Sequence, residues 1–427
     1  MLVKSAADEL QNYLTDASNL QGGHAQKLFI PETTEEVAEI IREANRTRIP
    51  VTVSGARTGI VGGAVPFGGY LISLEKLNRI KSIEKTPTGG EAVVQAGVVL
   101  SDFQKEVESK GLFYPPDPTE WSCQIGGTIA TNASGSRSFK YGSTRAFVEA
   151  LTIVLPTGEV VNVRRGAAFA ANGEAIELET VDGNKIRAKL PTYRQPRVRK
   201  NTSGYFTSAQ KLDAIDLLIG SEGTLGVITE AHLKLLPKPE GFLSGIVFFK
   251  NESDLLNFVR DARALSFETR KNSVQQSAAS GQQSANDTQH SALSTQHSLD
   301  ATLLEYFDAE ALKFIKGKFA EVPENMAGAI FFEQETSAEN EDELFEQWSG
   351  LLEKHNAETD ASWFTTTADD REKMREFRHA LPVSVNEWIV RHKQRKISTD
   401  IAVPDENFAS MLRFYKQSLA ASGLQYV

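Results

Sequence analysis

The sequence predicts an α+β protein of two domains, and three observations support this prediction. The chain has 427 residues, which is more than one typical domain holds. Short β-branched runs, glycine-rich turns and helical patterns alternate up to residue 239. A new strand–helix pattern begins after the stretch "PKPEG" at 237–241. We therefore expect a first domain at 1–239 and a second domain at 240–427.

Composition indicates a globular protein without a nucleic-acid surface. Hydrophobic residues make up 40% and charged residues 24% of the chain, and the net charge of −10 argues against nucleic acid as a partner. No stretch approaches the ~18 consecutive apolar residues of a transmembrane helix, and the first residues lack a signal-peptide core. The single cysteine, Cys123, excludes an intrachain disulfide and a cysteine-rich metal or iron–sulfur centre. We expect a cytoplasmic protein; peripheral attachment at the inner face of the membrane and a homodimer remain open.

A helix and a strand are predicted at 31–55. The stretch begins with the capping-type sequence Thr-Thr-Glu-Glu. Apolar residues then follow at helical spacing, at Val37, Ile40, Ile41 and Ala44. The β-branched run "IPVTVSG" is typical of a strand and leads directly into a glycine-rich loop.

The loop "SGARTGIVGGAVP" at 54–66 contains four glycines, which lets consecutive N–H groups surround an anion. A Rossmann site would need a helix directly after these glycines. The next segment, "YLISL" at 70–74, instead predicts a strand. Taken alone, the loop is either an anion-binding loop or a tight β-turn.

The rest of the first domain adds further elements and three more glycine-dense segments. Residues 91–115 predict a strand, a cap and a helix, and 147–163 predict a β-hairpin that turns at Thr157 and Gly158. The additional segments contain "IGGTIATNASG" within 114–151, "KNTSGY" at 200–205 and "GSEGTLGVITE" within 220–237. Their small residues would let a broad planar ligand lie against the backbone. Four such turns in one domain favour a ligand site over turns alone.

The second domain contains one segment of different composition. Half of the residues in 273–298 are Ser or Gln. Such a run buries too little apolar surface to offset its ordering entropy, so we expect a disordered insert. Its two histidines, His290 and His297, lack carboxylate or cysteine partners at a metal-binding spacing.

The combination of "IGGTIATNASG" and "GSEGTLGVITE" resembles the vanillyl-alcohol oxidase / p-cresol methylhydroxylase (PCMH) superfamily. Within it, the chain is similar to the FAD-linked oxidases, which include D-lactate dehydrogenases, the glycolate oxidase flavin subunit and D-2-hydroxyglutarate dehydrogenases. The likeness runs from about Thr15 to the last residue, apart from the insert. It implies a PCMH-type FAD-binding domain of two subdomains, followed by an α+β substrate (cap) domain that is incomplete at its C-terminus.

The resemblance implies three groups of FAD-binding residues. The first loop would bind the pyrophosphate through Gly55, Ala56, Arg57, Thr58 and Gly59. The isoalloxazine and its linker would lie near Pro116, Asp117, Gly126, Gly127, Thr128, Asn132, Ala133 and Gly135. The adenosine half would lie near Glu222, Gly223 and Val227. Since the first loop has no histidine and Cys123 is better interpreted as a small packed residue, we expect non-covalent FAD.

Substrate contacts are expected from 370–404. Oxidation of a 2-hydroxy acid needs a cation for the carboxylate, a base for the hydroxyl proton and a hydride acceptor. The resemblance places the carboxylate-binding arginine at Arg378, whereas the residues alone favour a helix-surface salt bridge with Glu372 or a neighbour. His379 is the candidate base, although adjacent helix residues point about 100° apart.

Two departures from the D-2-hydroxyglutarate type favour a monocarboxylate of the lactate or glycolate class. Those relatives carry a lysine two residues before the Asp that begins a "D-x-x-x-P" strand. Here Asp400 begins the stretch, Ser398 takes the lysine position, and the nearest lysine is Lys396, which becomes a third catalytic candidate. Pro382 takes the place of a hydroxyl residue four positions after Arg378.

A divalent metal is expected in full-length relatives, where a His-x-Gly-Asp-x-Asn-x-His-type motif follows text like "GLQYV". This chain stops at Val427, and His355, His379 and His392 form no HxxxH or HxH pair. We therefore expect no metal ligands here and a truncated or partial form.

Three functions remain open at this point. The first is an FAD-dependent dehydrogenase that oxidises a D-2-hydroxy acid and passes electrons to a quinone, a cytochrome or a partner protein. The second is a non-catalytic FAD-binding subunit, or a truncated form, of a larger hydroxy-acid oxidase complex. The third, a flavin-containing transferase similar to the ether-lipid alkyl synthases, has less support because no acyl- or alkyl-phosphate motif is found.

Overall fold

The computed structural model describes residues 1–170, 174–193, 195–208, 211–279, 299–394 and 399–427; for 274–279 it describes the backbone alone. The chain divides into two compact units. The first unit comprises Met1–Gly135, Gly142–Pro196 and Asn201–Lys238. The second comprises Ser136–Tyr141, Arg197–Lys200 and Pro239–Val427, so two short segments from the first half of the chain belong to it.

The described residues of the first unit form three antiparallel or mixed sheets. Its strands are β1 (Leu2–Lys4), β2 (Lys27–Ile30), β3 (Val51–Ser54), β4 (Tyr70–Ser73), β5 (Ile80–Thr86), β6 (Gly89–Gln95), β7 (Leu112–Phe113), β8 (Val148–Val154), β9 (Val160–Arg164), β10 (Ala175–Glu179), β11 (Lys185–Lys189) and β12 (Val227–Pro237). The small sheet has the order β1-β2-β4-β3, with β4 parallel to both β2 and β3. The large sheet has the order β5-β6-β12-β8-β9, with β7 also paired to β12, and β10 pairs with β11.

The helices of the first unit are short except for one. They are α1 (Ala7–Leu10), α2 (Thr34–Thr47), α3 (Leu100–Ser109), α4 (Ile125–Ala130) and, after α5 (Ser138–Tyr141) of the second unit, α6 (Ala214–Leu218). The Thr33 hydroxyl caps α2 by accepting from the Glu36 N–H, which confirms the predicted cap. The predicted apolar stripe of α2 is buried.

The first glycine-rich loop connects two strands without an intervening helix. It leaves β3 and returns in β4, which confirms that the loop is not a Rossmann fingerprint. The predicted hairpin is also present, since β8 and β9 pair antiparallel with Val154 opposite Val160. Gly158 has a φ of 84° in its turn, a conformation that favours glycine.

The second unit is a four-stranded antiparallel sheet with helices. Its elements after α5 are β13 (Gly241–Phe249), α7 (Glu252–Ala279), β14 (Leu303–Asp308), α8 (Ala309–Lys316), β15 (Gly328–Thr336), α9 (Glu341–Lys354), β16 (Trp363–Thr365), α10 (Ala368–His392) and α11 (Phe408–Ser422). The sheet order is β14-β15-β13-β16. One apolar cluster includes Phe258, Phe332 and Trp348, and another includes Phe331 and Phe377. Within the described ranges, no helix is both long and apolar enough to cross a membrane.

The expected insert and the stretch 400–404 differ in part from what the sequence predicts for the second domain. Helix α7 continues through 273–279, the beginning of the expected insert, because Ser, Gln and Ala can extend a helix already anchored by buried residues. The rest of the insert, 280–298, lies outside the described residues. The stretch 400–404, interpreted as a strand, has no strand structure. It ends in Pro404, which has no N–H to donate to a ladder.

Candidate functional site

The four glycine-dense segments meet within the first unit, where they form one site, here called the loop site (54–66, 114–135, 201–205 and 220–227). The first and second segments meet at Gly55, where a Cβ would lie 3.1 Å from the side-chain oxygen of Gln124. The third and fourth meet through the hydroxyls of Tyr205 and Thr224, which are 2.7 Å apart.

Backbone hydrogen bonds join the second and fourth segments. The Gly220 N–H donates to the Ile129 carbonyl at 3.0 Å, and the Glu222 N–H donates to the Ala130 carbonyl at 2.8 Å. Residues about 90 positions apart in the sequence therefore form one surface. The prediction that these segments act together is supported by their geometry.

The first loop is held by residues near the N-terminus. Arg57 has a φ of 60°, and its guanidinium carbon lies 4.7 Å from the centre of the Tyr13 ring. The buried Asp16 carboxylate accepts from the Ser18 N–H at 2.9 Å and from the Ala64 N–H at 3.4 Å. Burial, followed by a hydrogen bond to Glu75, raises the pKa of the Tyr13 phenol. Sequence reasoning missed this support, because nothing local marks Tyr13 or Asp16.

Two glycines of the second segment are required by packing. At Gly126, a Cβ would lie 2.6 Å from that of Ala96, and at Gly135 a Cβ would overlap the carbonyl oxygen of Asp117. Between them, Gly127 on α4 meets nothing within 4 Å and is exposed. The segment is therefore closed on its protein side and open on the other.

The other predicted residues of the second segment are held by the protein itself. The Thr128 hydroxyl donates to the Ile125 carbonyl at 2.9 Å, and the Pro116 carbonyl accepts from the Gln104 amide at 2.9 Å. Asn132 has a φ of 47°, and its side-chain oxygen accepts from the Arg145 N–H at 3.0 Å.

The fourth segment presents an exposed turn and then enters the large sheet. Glu222, with a φ of 53°, and Gly223, with a φ of 77°, are both exposed. A Cβ on Gly223 would meet nothing within 4 Å. Val227 begins β12, where it pairs with Val154, and its side chain is buried. Contact between Val227 and a ligand would therefore involve its backbone.

The features of the loop site match those of FAD, which has two phosphates, a chain of hydroxyl groups and a planar ring system. Gly59, Gly63, Gly127 and Gly223 all face open space, which permits close approach to the backbone. The buried side-chain oxygens of Gln124 and Ser134 have no hydrogen-bond partner among the residues that the structure describes. Buried polar atoms of this kind are normally satisfied, so a ligand with hydroxyl or imide donors is expected beside them. Gln124 was not among the predicted site residues, although it directly precedes "IGG".

Cys123 lies within the loop site but has the properties of a packed residue. Burial, together with the charge of Glu120, raises the pKa of its thiol to about 12. Because the thiolate is the nucleophilic form, a covalent bond from Cys123 to a flavin is disfavoured.

Two family models match the chain. The FAD binding domain matches residues 25–164, and the C-terminal domain of FAD linked oxidases matches residues 271–427. The chain belongs to the FAD-linked oxidase family. Its cofactor is therefore FAD, as the loop site indicates. Since both family domains lie within the chain, the comparisons do not support the expectation of a truncated form.

Three similar proteins are a D-lactate dehydrogenase, a glycolate oxidase subunit and a D-2-hydroxyglutarate dehydrogenase. A D-lactate dehydrogenase of Anaerostipes hadrus is 39% identical over 252 residues, 58% of this chain and 45% of the relative. The glycolate oxidase subunit GlcD of Bacillus subtilis is 34% identical over 241 residues, 56% of this chain and 43% of the relative. A D-2-hydroxyglutarate dehydrogenase of Xanthomonas citri pv. viticola is 34% identical over 242 residues, 56% of this chain and 42% of the relative. The chain thus spans less than half the length of these relatives.

Solved structures of alkyldihydroxyacetonephosphate synthase have the same fold. One of them superposes with a TM-score of 0.63 at 15% identity, covering 98% of this chain and 67% of the synthase chain. At this identity the likeness establishes the fold alone. It confirms the predicted α+β class.

The predicted catalytic residues belong to the second unit. Arg378 lies on α10, is 8% exposed, and donates through Nε to Glu305 Oε2 at 2.5 Å. Glu372, the salt-bridge partner considered from sequence, instead lies 3.3 Å from Arg375. His379 is half-buried beside Arg378 on the same helix.

Lys396, the third catalytic candidate, lies outside the described residues. In the part of the chain that the structure describes, no three His, Cys, Asp or Glu side chains form a group that could hold a metal ion.

Proposed function

We propose that this protein is an FAD-dependent oxidoreductase that oxidises a D-2-hydroxy acid of the lactate or glycolate class. The observation that carries the proposal is the convergence of the four glycine-dense segments, in a chain that is 39% identical to a D-lactate dehydrogenase over 252 residues. Electrons would pass to a quinone, a cytochrome or a partner protein. Residues 1–239 would form the FAD-binding domain and 240–427 the substrate domain; the unit boundary after Lys238 supports this division.

The chain's residues have distinct proposed roles. When bound, FAD supplies the acceptor for the α-hydride of the substrate, at N5 of its ring. The Arg378 guanidinium donates through Nε to Glu305 and would also bind the substrate carboxylate. Glu305 would hold the guanidinium in place between turnovers.

His379 is the proposed base for the hydroxyl proton, so that loss of the proton and the hydride yields a 2-oxo acid. Its half-buried position on α10, next to Arg378, supports this role. Lys396 is proposed from sequence as an additional polar contact to the substrate. The absence of a hydroxyl residue at Pro382 supports a substrate with one carboxylate.

The test is an anaerobic titration of the purified, FAD-loaded protein. D-lactate and glycolate are expected to bleach the flavin absorbance, and D-2-hydroxyglutarate to do so more weakly. Arg378→Met should raise the substrate concentration needed for half-bleaching by a hundredfold or more, since a charge-assisted bidentate pair is lost. Arg375→Met, one turn earlier and half-buried, is the matched control. A flavin that none of the three acids reduces would refute the proposal.

A second candidate is an FAD-binding subunit without turnover of its own. The pairing of Arg378 with Glu305 favours it, because the candidate carboxylate anchor already holds a carboxylate. In this case the flavin would bind but stay oxidised with every acid tested. Glu305→Gln would then separate the two candidates: appearance of bleaching in this variant would show that Glu305 blocks an otherwise competent site.

A further inference from the structure

We infer that Arg145 is a positioning residue for FAD, because it fixes Asn132 of the second glycine-dense segment against the turn that opens the fourth. The inference rests on contacts within the first unit and on FAD as the cofactor, and it does not depend on which acid is oxidised. Arg145 itself belongs to neither glycine loop. It acts through the backbone and side chains that form them.

The guanidinium of Arg145 binds the chain immediately before the fourth segment. Its Nη1 donates to the Asp216 carboxylate at 3.1 Å and also to the Asp216 carbonyl, and its Nη2 donates to the Ile219 carbonyl at 2.7 Å. The ring of Phe206 covers the guanidinium carbon at 4.4 Å. With only 17% of the side chain exposed, these contacts are shielded from water.

The backbone around Arg145 binds the second segment. Its N–H donates to the Asn132 side-chain oxygen at 3.0 Å. The neighbouring Thr144 donates through both its N–H, at 3.1 Å, and its hydroxyl, at 2.9 Å, to the Ala133 carbonyl. Asn132, which is buried, and Ala133, which is half-buried, are therefore held by the protein, and the open position of the same segment is Gly127. The Asn132 backbone is left-handed, a conformation that asparagine adopts more readily than most residues.

Gly220 completes the contact between the two segments. It has a φ of +79°, and a Cβ there would lie 3.2 Å from that of Asn132 and 3.5 Å from Nη2 of Arg145. Arg145, Asn132 and Gly220 thus pack against one another without a gap. A change in the guanidinium would move the turn at Gly220, and with it Glu222 and Gly223.

A guanidinium is required here for reasons of geometry and charge. Arg165 also binds Asp216, at 3.2 Å, and donates to the Arg145 carbonyl at 3.0 Å, so two cations share one carboxylate. Burial lowers the pKa of Arg145, while the charge of Asp216 opposes this effect. Lysine, a point charge, cannot serve the Asp216 and Ile219 acceptors with the same planar fork.

The experiment measures FAD binding by the full chain after removal and re-addition of FAD. Arg145→Met, Arg145→Lys and Asp216→Asn are compared with wild type, and Arg164→Met, on the exposed face of β9, is the matched control. The readouts are the Kd for FAD, the visible circular dichroism of the bound flavin, and the Tm of the FAD-free chain.

We expect the Kd to rise about 10–100-fold in Arg145→Met, the range seen when residues that orient ligating groups are changed at metal sites. Arg145→Lys and Asp216→Asn should give smaller increases, each with an altered flavin dichroism. Wild-type Kd and dichroism in Arg145→Lys and Asp216→Asn would overturn the inference, even with a lower Tm, because a merely structural role moves the Tm alone. If Arg145→Met does not fold, these two variants decide.

Discussion

The loop site of the first unit and the segment Ser136–Tyr141 of the second unit present different kinds of chemical group. In the first unit, the loop site is built from backbone groups and glycines, with Gly59, Gly127 and Gly223 facing open space. In the second unit, the short segment Ser136–Tyr141 is held by side chains of opposite charge. Arg137 lies 2.9 Å from Glu333 in an almost fully buried pair.

The charged side chains around Ser136–Tyr141 form a network of ion pairs. Lys140 lies 3.0 Å from Asp300 and 2.9 Å from Glu335, and Arg270 lies 2.6 Å from Asp300. Burial lowers the pKa of the Lys140 ammonium, but the charges of Glu335 and Asp300 outweigh this effect and raise it. Tyr141 completes the network through a hydrogen bond to Glu335.

The continuous stretch 126–141 contains two parts with different roles. Residues 126–135 are closed on one side and open on the other, which suits a segment that binds a ligand. Residues 136–141 follow directly and have their charges compensated, which suits a segment that anchors the chain. Its central residue, Phe139, packs against Phe267, with 5.4 Å between ring centres.

Lys140→Met should destabilise the second unit most. The change removes the ammonium group that pairs with the Asp300 and Glu335 carboxylates. Breaking a buried ion pair in this way costs about 3–5 kcal/mol. Urea unfolding followed by tryptophan fluorescence measures the loss. Lys185→Met, in an exposed pair with Glu177, is the control and should leave stability unchanged. Equal stability of Lys140→Met and wild type would mean that the network does not anchor the segment.

Gly135→Ala should impair both folding and FAD binding. The added Cβ overlaps the Asp117 carbonyl, and such overpacking costs about 1–3 kcal/mol. Gly127→Ala is the matched control, because its Cβ meets no protein atom within 4 Å and alanine favours a helix. We expect Gly127→Ala to keep its unfolding midpoint and yet weaken FAD binding. If Gly127→Ala lowered the unfolding midpoint as much as Gly135→Ala does, the segment would not be open at Gly127.

The second unit should lose stability in acid through Asp261. Hydrogen bonds from Lys354, Arg260 and His355 lower its carboxyl pKa from 3.8 to about 2. Because the folded-state pKa is depressed, the stabilisation is present above about pH 4 and disappears as the pH falls toward 2. Its size is at most about 2 kcal/mol. Thermal unfolding between pH 2 and 6 should show a shallower acid dependence in Asp261→Asn; an unchanged slope would exclude this residue as the cause.

Cys123→Ser should have the smallest effect. Since the Cys123 thiol is half-buried and has a raised pKa, we expect FAD to be held without a covalent bond. Acid precipitation should release the yellow colour into the supernatant from both wild type and the variant. Colour that stays in the wild-type pellet and leaves the variant pellet would identify Cys123 as a flavin attachment site.

Structural features that depend on residues close together in the chain could be predicted from the sequence alone. The cap at Thr33, the helical stripe of α2 and the hairpin at Gly158 depend on residues within one or two turns of each other, so their pattern is visible in one short window. The glycine-dense segments are visible for the same reason, since their glycines lie close together in the sequence. Together they carry the resemblance to the FAD-linked oxidases, and that resemblance implied FAD as the cofactor.

Contacts between residues far apart in the chain could be identified only from the tertiary structure. Arg145 meets Asp216 across 71 positions, and Arg378 meets Glu305 across 73. The pattern around each arginine is equally compatible with a surface salt bridge, because a charged side chain carries no local signal of its partner. The same holds for Ser136–Tyr141, whose place in the second unit depends on Asp300, Glu333 and Glu335 far along the chain. The local sequence limits the backbone conformations of each segment, whereas the packing of distant residues determines which charged side chains pair.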